Sequence, residues 1–542
     1  MKLGRSVEAT LAIVAIGLGF VAWRVDGAPT HDSVPTESAT VVAEPTGPSG
    51  KPSPSPEVAP PDLAWGPSQA DWDAALADAR ALRLRDAAGQ VIMADISHPG
   101  ARAAARLVNS RHLAGVLIMG GAVKSAKQVA ALNDAISNAD EGRDWPVMIA
   151  TDEEGGVVQR LRPAIGYVSA FMAAGANGDE AQIRDYYAGV GAQMRELNFL
   201  MDMAPVADVT IGRKDPTIRT RSAGSDGEAV ARAVAAAWAG IDAGGVLPVL
   251  KHFPGHGSVT ADSHKGLPRQ RARIATLAKR DFVPFQTAID AGAPAIMMAH
   301  IRVPEWGKAP ASVNHRAYGY LRNELGFTGL IVTDAMNMDA ITDRYRPGAA
   351  TVAAIRAGAD LVLMPADTDA AIAGLVKAVK AGKLDRARLD DAAAHVILAA
   401  RWARHAQHAV APQRPRAFVE GSIVVAAKHC DALIGHKVSI SGGTKGQRRV
   451  LATALRDHGV AIGKGGTTIA LMRGDLAHAN ADVVVAMGGP WGLRASHATT
   501  YVAIWGEGRD QLRALADVLA GDVMPRGTWP VAVKLPYPAC SP

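Results

Sequence analysis

Cysteine is almost missing from this chain: Cys430 and Cys540 are the only two among 542 residues. Two thiols are too few for a multi-cysteine zinc site or a disulfide framework, so a single disulfide is the most they can form. Aromatic residues are sparse, at 5%, and like charges form no block; 58 basic and 52 acidic side chains are spread along the sequence and sum to +6. That dispersion leaves no electrostatic footprint for nucleic acid. The apolar run at the amino terminus, Ala9 to Trp23, has 15 residues and ends at Arg24, short of the roughly 20 that a membrane-spanning helix needs. What the chain does have is 48% apolar against 20% charged residues, enough to bury a large core and too much for a disordered polymer. Two folded domains are expected.

Lys2 and Arg5 precede the apolar run, and a short positive flank followed by a short greasy stretch is the pattern of an export signal. Residues 1–27 are therefore expected to act as a signal peptide or amino-terminal membrane anchor, and the protein to be exported to the cell envelope or beyond. Asp26 and Pro29 sit poorly with a cleavage site, which keeps the anchor reading open. Residues 28–62 are rich in Pro, Ser, Thr and Gly, with Lys51-Pro52-Ser53-Pro54-Ser55-Pro56 at their centre. Proline removes backbone donors and favours extended geometry, so this stretch is expected to be a linker.

From about Leu63 to Val410, eight short apolar runs alternate with alanine- and arginine-rich stretches of helical periodicity: Val91–Ala94, Gly115–Met119, Val147–Ala150, Phe199–Met203, Val249–Leu250, Ala295–Met298, Leu330–Val332 and Leu361–Met364. Alternation alone fits either an open doubly wound sheet or a closed barrel. The placement of polar residues favours the barrel, because the runs empty directly into Asp152-Glu153-Glu154, Lys251-His252, His300 and Asp334. Active groups collect at that rim of a parallel (β/α)8, TIM-like barrel. Residues 418–542 read as a smaller, reduced α/β domain with strands near Val438–Ile440, Val483–Ala486 and Tyr501–Ile504 and helices over Gln447–His458 and Gln511–Ala520. Gly442 to Gly446 lacks the spacing of a phosphate loop and reads as a turn.

The stretch Lys251-His252-Phe253-Pro254-Gly255-His256-Gly257, followed by Asp262-Ser263-His264, concentrates ionisable groups in a glycine-rich loop. Asp262 and His264 stand two apart, so extended backbone would project both side chains to one side, where the carboxylate can fix the imidazole tautomer. Asp334 admits two readings. It is either the N-cap of the next helix or a carboxylate nucleophile for an anomeric carbon.

Taken together, Asp152-Glu153-Glu154-Gly155-Gly156 with Gln159-Arg160, Arg221-Ser222, the Lys251–Gly257 stretch, Asp262-Ser263-His264 and Thr333-Asp334-Ala335-Met336-Asn337-Met338 resemble the motifs, in order, of family 3 glycoside hydrolases of the NagZ-like β-N-acetylhexosaminidase branch. The resemblance implies a retaining mechanism in which Asp334 is the nucleophile and His264, paired with Asp262, is the acid/base. It implies that Asp152, Arg160, Arg221, Lys251 and His252 bind the sugar, that no metal or other cofactor is needed, and that the loop bearing the dyad moves, with Gly255 and Gly257 suited to a hinge. Two positions depart from the family pattern: Val157 replaces an arginine, and Ala223 stands where an aromatic is common.

The expected activity is that of an exported exo-acting β-N-acetylglucosaminidase on wall-derived glycans, working as a monomer without nucleic-acid partners and touching a membrane only through its amino-terminal segment. Phosphorolysis of N-acetylglucosaminides or β-glucosidase action on the same fold are the near alternatives, since a neutral imidazole repels phosphate less than a carboxylate does. From other classes come a zinc hydrolase using His252, His256, Asp262 and His264, and a carbohydrate-binding protein without catalysis.

Overall fold

A computed structural model describes residues 63–139, 142–405 and 410–540; the expected leader and linker lie outside the described residues. Eight parallel strand positions follow one another: β1 (Ile92–Ile96), β2 (Gly115–Ile118), β3 (Met148–Thr151), β4 (Met201–Asp202), β5 (Leu247–Pro248, continuing as Leu250–Phe253), β6 (Ala295–Met298), β7 (Leu330–Thr333) and β8 (Val362–Leu363). Each of the eight apolar runs contains or overlaps one of them. β8 pairs with β1 through Ile92↔Val362 and Met93↔Leu363, and Leu361 bridges Val332 of β7, so the sheet closes on itself as a barrel. The strands are buried on both faces, which is why they read as continuous apolar runs and not as alternating ones.

Helices cover the outside, and their starts are chemically marked. Asp179 accepts from the N–H groups of Ala181 and Gln182 to cap Glu180–Glu196, and Asp226 accepts from Ala229 to cap Gly227–Ala243. The closed ring leaves loops of unequal length at the carboxyl ends of the strands. Among them, the loop after β3 folds into a hairpin, Glu153–Gly155 against Val158–Gln159.

A second sheet follows: β9 (Val424–Ala427), β10 (Lys437–Gly442), β11 (Ala461–Ile462), β12 (Thr467–Met472), β13 (Val483–Ala486) and β14 (Thr500–Ala503), in the order β9-β14-β13-β12-β10-β11. Only β9 runs antiparallel. Gly442 and Gly443 form a left-handed turn leading to Thr444, which caps helix Lys445–Asp457. Cys430 and Cys540 are bonded, with Cα atoms 5.6 Å apart.

The second domain packs against barrel loops. Trp505 is fully buried; its indole donates to Ser422 O at 2.6 Å, and its carbonyl accepts from Ala170 N–H at 2.9 Å. Gln511 donates to Ser169 Oγ at 2.8 Å. The loop after β3 is thus pinned from outside the barrel.

Candidate active site

Three strand ends build one face of the site. β3 delivers Asp152 and Glu154, β5 delivers Lys251 and His252, and β7 delivers Asp334. Lys251 Nζ lies 2.7 Å from Asp152 Oδ1 and 2.6 Å from Glu154 Oε1. Arg221, on the turn Arg219–Arg221, grips Glu154 with two bonds of 2.7 and 2.9 Å. Burial alone would raise the Glu154 pKa, but the charges of Arg221 and Lys251 outweigh it and hold the carboxylate well below the usual range. Burial likewise opposes the charge on Lys251, and Asp152 and Glu154 reverse that effect and raise its pKa. The result is a fixed array of cations and carboxylates with donors and acceptors aimed at the same space.

His252 is held from behind. The chain continues past β4 so that Val206 bridges Lys251, and this register sets Asp208 Oδ2 2.7 Å from His252 Nδ1. Asp208 is completely buried; its contact and hydrogen bond with His252 overcome that burial and keep its pKa low. Asp208 also accepts from the backbone N–H of His256. The peptide bonds Lys251-His252 and Phe253-Pro254 are cis.

Asp334 does not cap a helix: the next one, Asp339–Thr342, is preceded by Met338. Its Oδ1 accepts from Ala335 N–H at 2.8 Å. Against the effect of burial, His300, His252 and that N–H keep its carboxyl below the ordinary value. His300 is itself oriented by Ser312 Oγ at 2.7 Å and Ala335 O at 2.9 Å.

Asp262 and His264 meet differently from the extended pairing expected of residues two apart. The backbone turns, and Asp262 Oδ1 accepts from His264 N–H at 3.0 Å while lying 2.8 Å from His264 Nδ1. An Asx turn brings both groups together because the short Asp side chain reaches the backbone two residues on. Burial would raise the Asp262 pKa, but the His264 N–H and imidazole lower it. Ser263, between them, bonds His256 Nε2 at 2.8 Å, and both residues are buried. Burial, with His252 nearby, pushes His256 down to about 4.

Asp152, Arg160, Arg221, Lys251, His252, His264 and Asp334 line one cavity of about 330 Å³. Asp262 stands behind His264. Arg160 is loosely held, 3.9 Å from Asp152. Leu117, Met119, Met297, Met338 and Met364 give the cavity an apolar side, and its volume, at the small end of the roughly 300–1,000 Å³ typical of ligand pockets, suits one sugar unit better than a chain. Val157 is 73% exposed and does not line this cavity. Gly255 and Gly257 answer to close approach: a Cβ at Gly257 would lie 2.5 Å from Val209 O, and Gly255 has φ +111° with Asp281 Cβ only 2.8 Å from its missing Cβ.

The four side chains of the zinc alternative do not converge. His252 is bonded to Asp208, His256 to Ser263, and His264 to Asp262. Among the described residues, the one carboxylate–histidine grouping of metal-site size is Asp360, Asp391 and His395, and there Asp360 is already clamped by Arg322 and Arg388 at 2.7 and 3.0 Å. Sequence reasoning missed the roles of Glu154 and Asp208. Asp208 was findable, since it follows a strand exit like the other rim residues. Behind the site, Glu153 and Asp202 are fully buried; Asp202 Oδ1 accepts from Glu153 N–H at 2.9 Å, and Glu153 Oε2 from Leu161 N–H at 2.8 Å. Burial, reinforced by Asp202, raises Glu153 to about 8.

Comparison with known proteins gives this geometry a context. The sequence profile described as "Glycosyl hydrolase family 3 N terminal domain" matches residues 83–399. The chain is 35% identical over 320 residues to the β-hexosaminidase LpqI of Mycobacterium tuberculosis, covering 57% of this chain and 80% of that protein. Its fold is similar to a β-N-acetylglucosaminidase from Paenibacillus sp. str. FPU-7, with a TM-score of 0.75, 25% identity, and coverage of 83% of this chain and 99% of that one. A β-glucoside phosphorylase shares the fold at a TM-score of 0.71 and 19% identity, over 86% and 97% of the two chains.

Proposed function

This chain belongs to glycoside hydrolase family 3, and on that premise we propose that it is a retaining β-N-acetylglucosaminidase that removes terminal N-acetylglucosamine from β-linked glycans. The observation that carries the reading is the meeting, in one cavity, of the half-buried carboxylate of Asp334, an imidazole backed by a carboxylate, and a charged hydrogen-bonding array. The names of the Mycobacterium and Paenibacillus relatives support the choice of sugar.

In the first step Asp334 attacks C1 and the bond to the leaving oxygen breaks while His264, protonated, gives that oxygen its proton. The sugar is then held as an ester of Asp334. In the second step His264, now neutral, takes a proton from water; the hydroxyl attacks C1, the ester opens, and both residues return to their starting states. Asp262 holds the tautomer that presents Nε2 to the substrate and stabilises the imidazolium. Asp152, Arg160, Arg221, Lys251 and His252 bind the hydroxyl and acetamido groups, with Glu154 and Asp208 keeping the cations and the ring in place.

Export and wall-derived glycans as substrates belong to the same proposal. The amino-terminal apolar run supports export, as does the Cys430–Cys540 bond, because disulfides persist in oxidising compartments. No helix of the described residues is long and apolar enough to cross a membrane. The deciding experiment is incubation with a slow 5-fluoro N-acetylglucosaminide followed by peptide mass spectrometry. The adduct is expected on Asp334; an adduct elsewhere overturns the mechanism, and turnover of β-glucosides in preference to N-acetylglucosaminides overturns the specificity.

A further inference from the structure

A second cavity, of about 680 Å³, lies at the seam between the loop after β4 and the carboxyl-terminal domain. Its charged lining residues are Arg213, Lys214, Arg280, Arg494 and Lys534, and no carboxylate lines it. Arg280 is committed to the carbonyls of Val209 and Thr210 at 3.1 and 3.0 Å and to Asp281. The other four are exposed, and none of them forms an ion pair with another of the described residues. Four uncompensated cations around one groove repel each other, an arrangement that an anionic occupant would relieve.

The groove also holds an aromatic surface. Trp491 lies half-buried on the turn Pro490–Ala495 and packs over Gly212, where a Cβ would be 3.1 Å from the indole Nε1. Gly212 takes φ +69°, so this backbone position disfavours a side chain both in conformation and in space. The glycine thereby leaves room for the ring at the groove. An indole face beside several cations matches a sugar ring bearing an acidic substituent: the apolar face of the ring stacks, and the acid pairs with the guanidinium and ammonium groups.

We infer that this seam binds an anionic glycan carrying carboxylate groups, as a site separate from the catalytic cavity. The choice of a glycan over single-stranded nucleic acid follows from the single indole, since strand-binding grooves stack successive bases on several aromatics. It also follows from the chain's path, because the loop that supplies Arg213 and Lys214 continues directly into Thr217, Ile218 and Arg221 of the catalytic cavity. To that extent the inference rests on the glycosidase reading.

The test measures binding directly, so that it does not depend on turnover. Full-length protein is titrated with an oligogalacturonate of eight units, an uncharged chito-oligosaccharide of similar length, and a single-stranded oligonucleotide. Oligogalacturonate is expected to bind, to weaken as salt rises, and to lose about tenfold or more in affinity both in Trp491→Ala and in the doubly charge-reversed Arg494→Glu/Lys534→Glu. The charge reversals lie on exposed side chains, which keeps the test valid should Trp491→Ala fail to fold. Hydrolysis of a small chromogenic N-acetylglucosaminide is expected to be unchanged in the Arg494/Lys534 variant. Equal binding by wild type and both variants, or tighter binding of the oligonucleotide, overturns the proposal. Absence of N-acetylglucosaminide hydrolysis by wild-type protein that binds oligogalacturonate counts against the proposed function and not against this site, whereas loss of hydrolysis in the Arg494/Lys534 variant overturns the separation of the two sites.

Discussion

The two halves of the candidate active site are built on opposite plans. The half proposed to bind the sugar is buried at strand ends: the side chains of Lys251 and Glu154 are 2% and 1% exposed and locked to each other. The dyad half sits on a loop, where His264 is 60% and Asp262 25% exposed, tethered through the buried Ser263–His256 bond. The difference suits the role proposed for each half. Recognition of fixed hydroxyl groups gains from donors that cannot move, because their ordering is complete before substrate arrives. A proton carrier must reach a leaving oxygen and later a water, and a turn on a loop allows both. The buried half should therefore couple activity to stability, and the loop half should separate them.

Several substitutions can break or sharpen that contrast. The largest effect is expected for Asp334→Asn, which removes the proposed nucleophile and should lower kcat by about 10³-fold or more, with a melting temperature close to wild type; a variant retaining near-full turnover would end the proposed chemistry. His264→Ala should cost about 10²–10³-fold in both the glycosylation and deglycosylation steps, measured by pre-steady-state release of the leaving group, while urea unfolding shifts by no more than about 0.5 kcal/mol. Lys251→Met should show the opposite balance. It leaves the buried Glu154, still held by Arg221, and the half-buried Asp152 beside a neutral side chain and should lower stability by about 2–3 kcal/mol; a variant as stable as wild type would remove the contrast between the halves.

The smallest effect is a pH dependence of stability. Glu153 titrates near 8 in the folded protein against an ordinary value of 4.5. Between these two values the folded chain holds a proton that the unfolded chain has released. Stability from this group is thus full below pH 4.5 and falls as pH rises toward 8. His256, lowered to about 4 from 6.5, acts in the other direction and gains stability up to pH 6.5. Above 6.5 only the downward trend remains, so urea midpoints should drop between pH 6.5 and 8 by an amount equivalent to about 2 kcal/mol, and Glu153→Gln should reduce the drop to the part due to its neighbour Asp202, which burial raises to about 7.

Much of the barrel was legible because parallel strands buried on both faces advertise themselves as short apolar runs, and because polar residues follow them directly. Ala295–Met298 coincides with β6 to the residue. β9, β11 and β12 went unread: Ala461–Ile462 is two residues long, Thr467–Met472 opens on two threonines after Gly465-Gly466, and the strand character of β9 and β12 comes from pairing with β14 and with β10 and β13. In the site, residues that point into the cavity from strand ends could be named from motif and position. Their supports could not, because the bond from Asp208 to His252 joins residues 44 apart and exists only once the strands are in register. The Asx turn at Asp262 was hidden for a related reason: spacing of two is shared by extended and turned backbone, and the choice is made by the hydrogen bond to His264 N–H.

The disulfide near the carboxyl terminus also reaches further than local cross-linking. The segment leading to it touches the barrel at Ala176 and Ser225, returns to pair Ala539 with Ala426, and donates from Cys540 N–H to Val425 O. β9 is an edge strand, with β14 on its other side. The covalent bond thus works as a clasp that keeps the chain's own tail laid along a sheet border that would otherwise invite strands from neighbouring molecules. Reducing Cys430–Cys540 should leave sugar chemistry intact and instead make the protein self-associate.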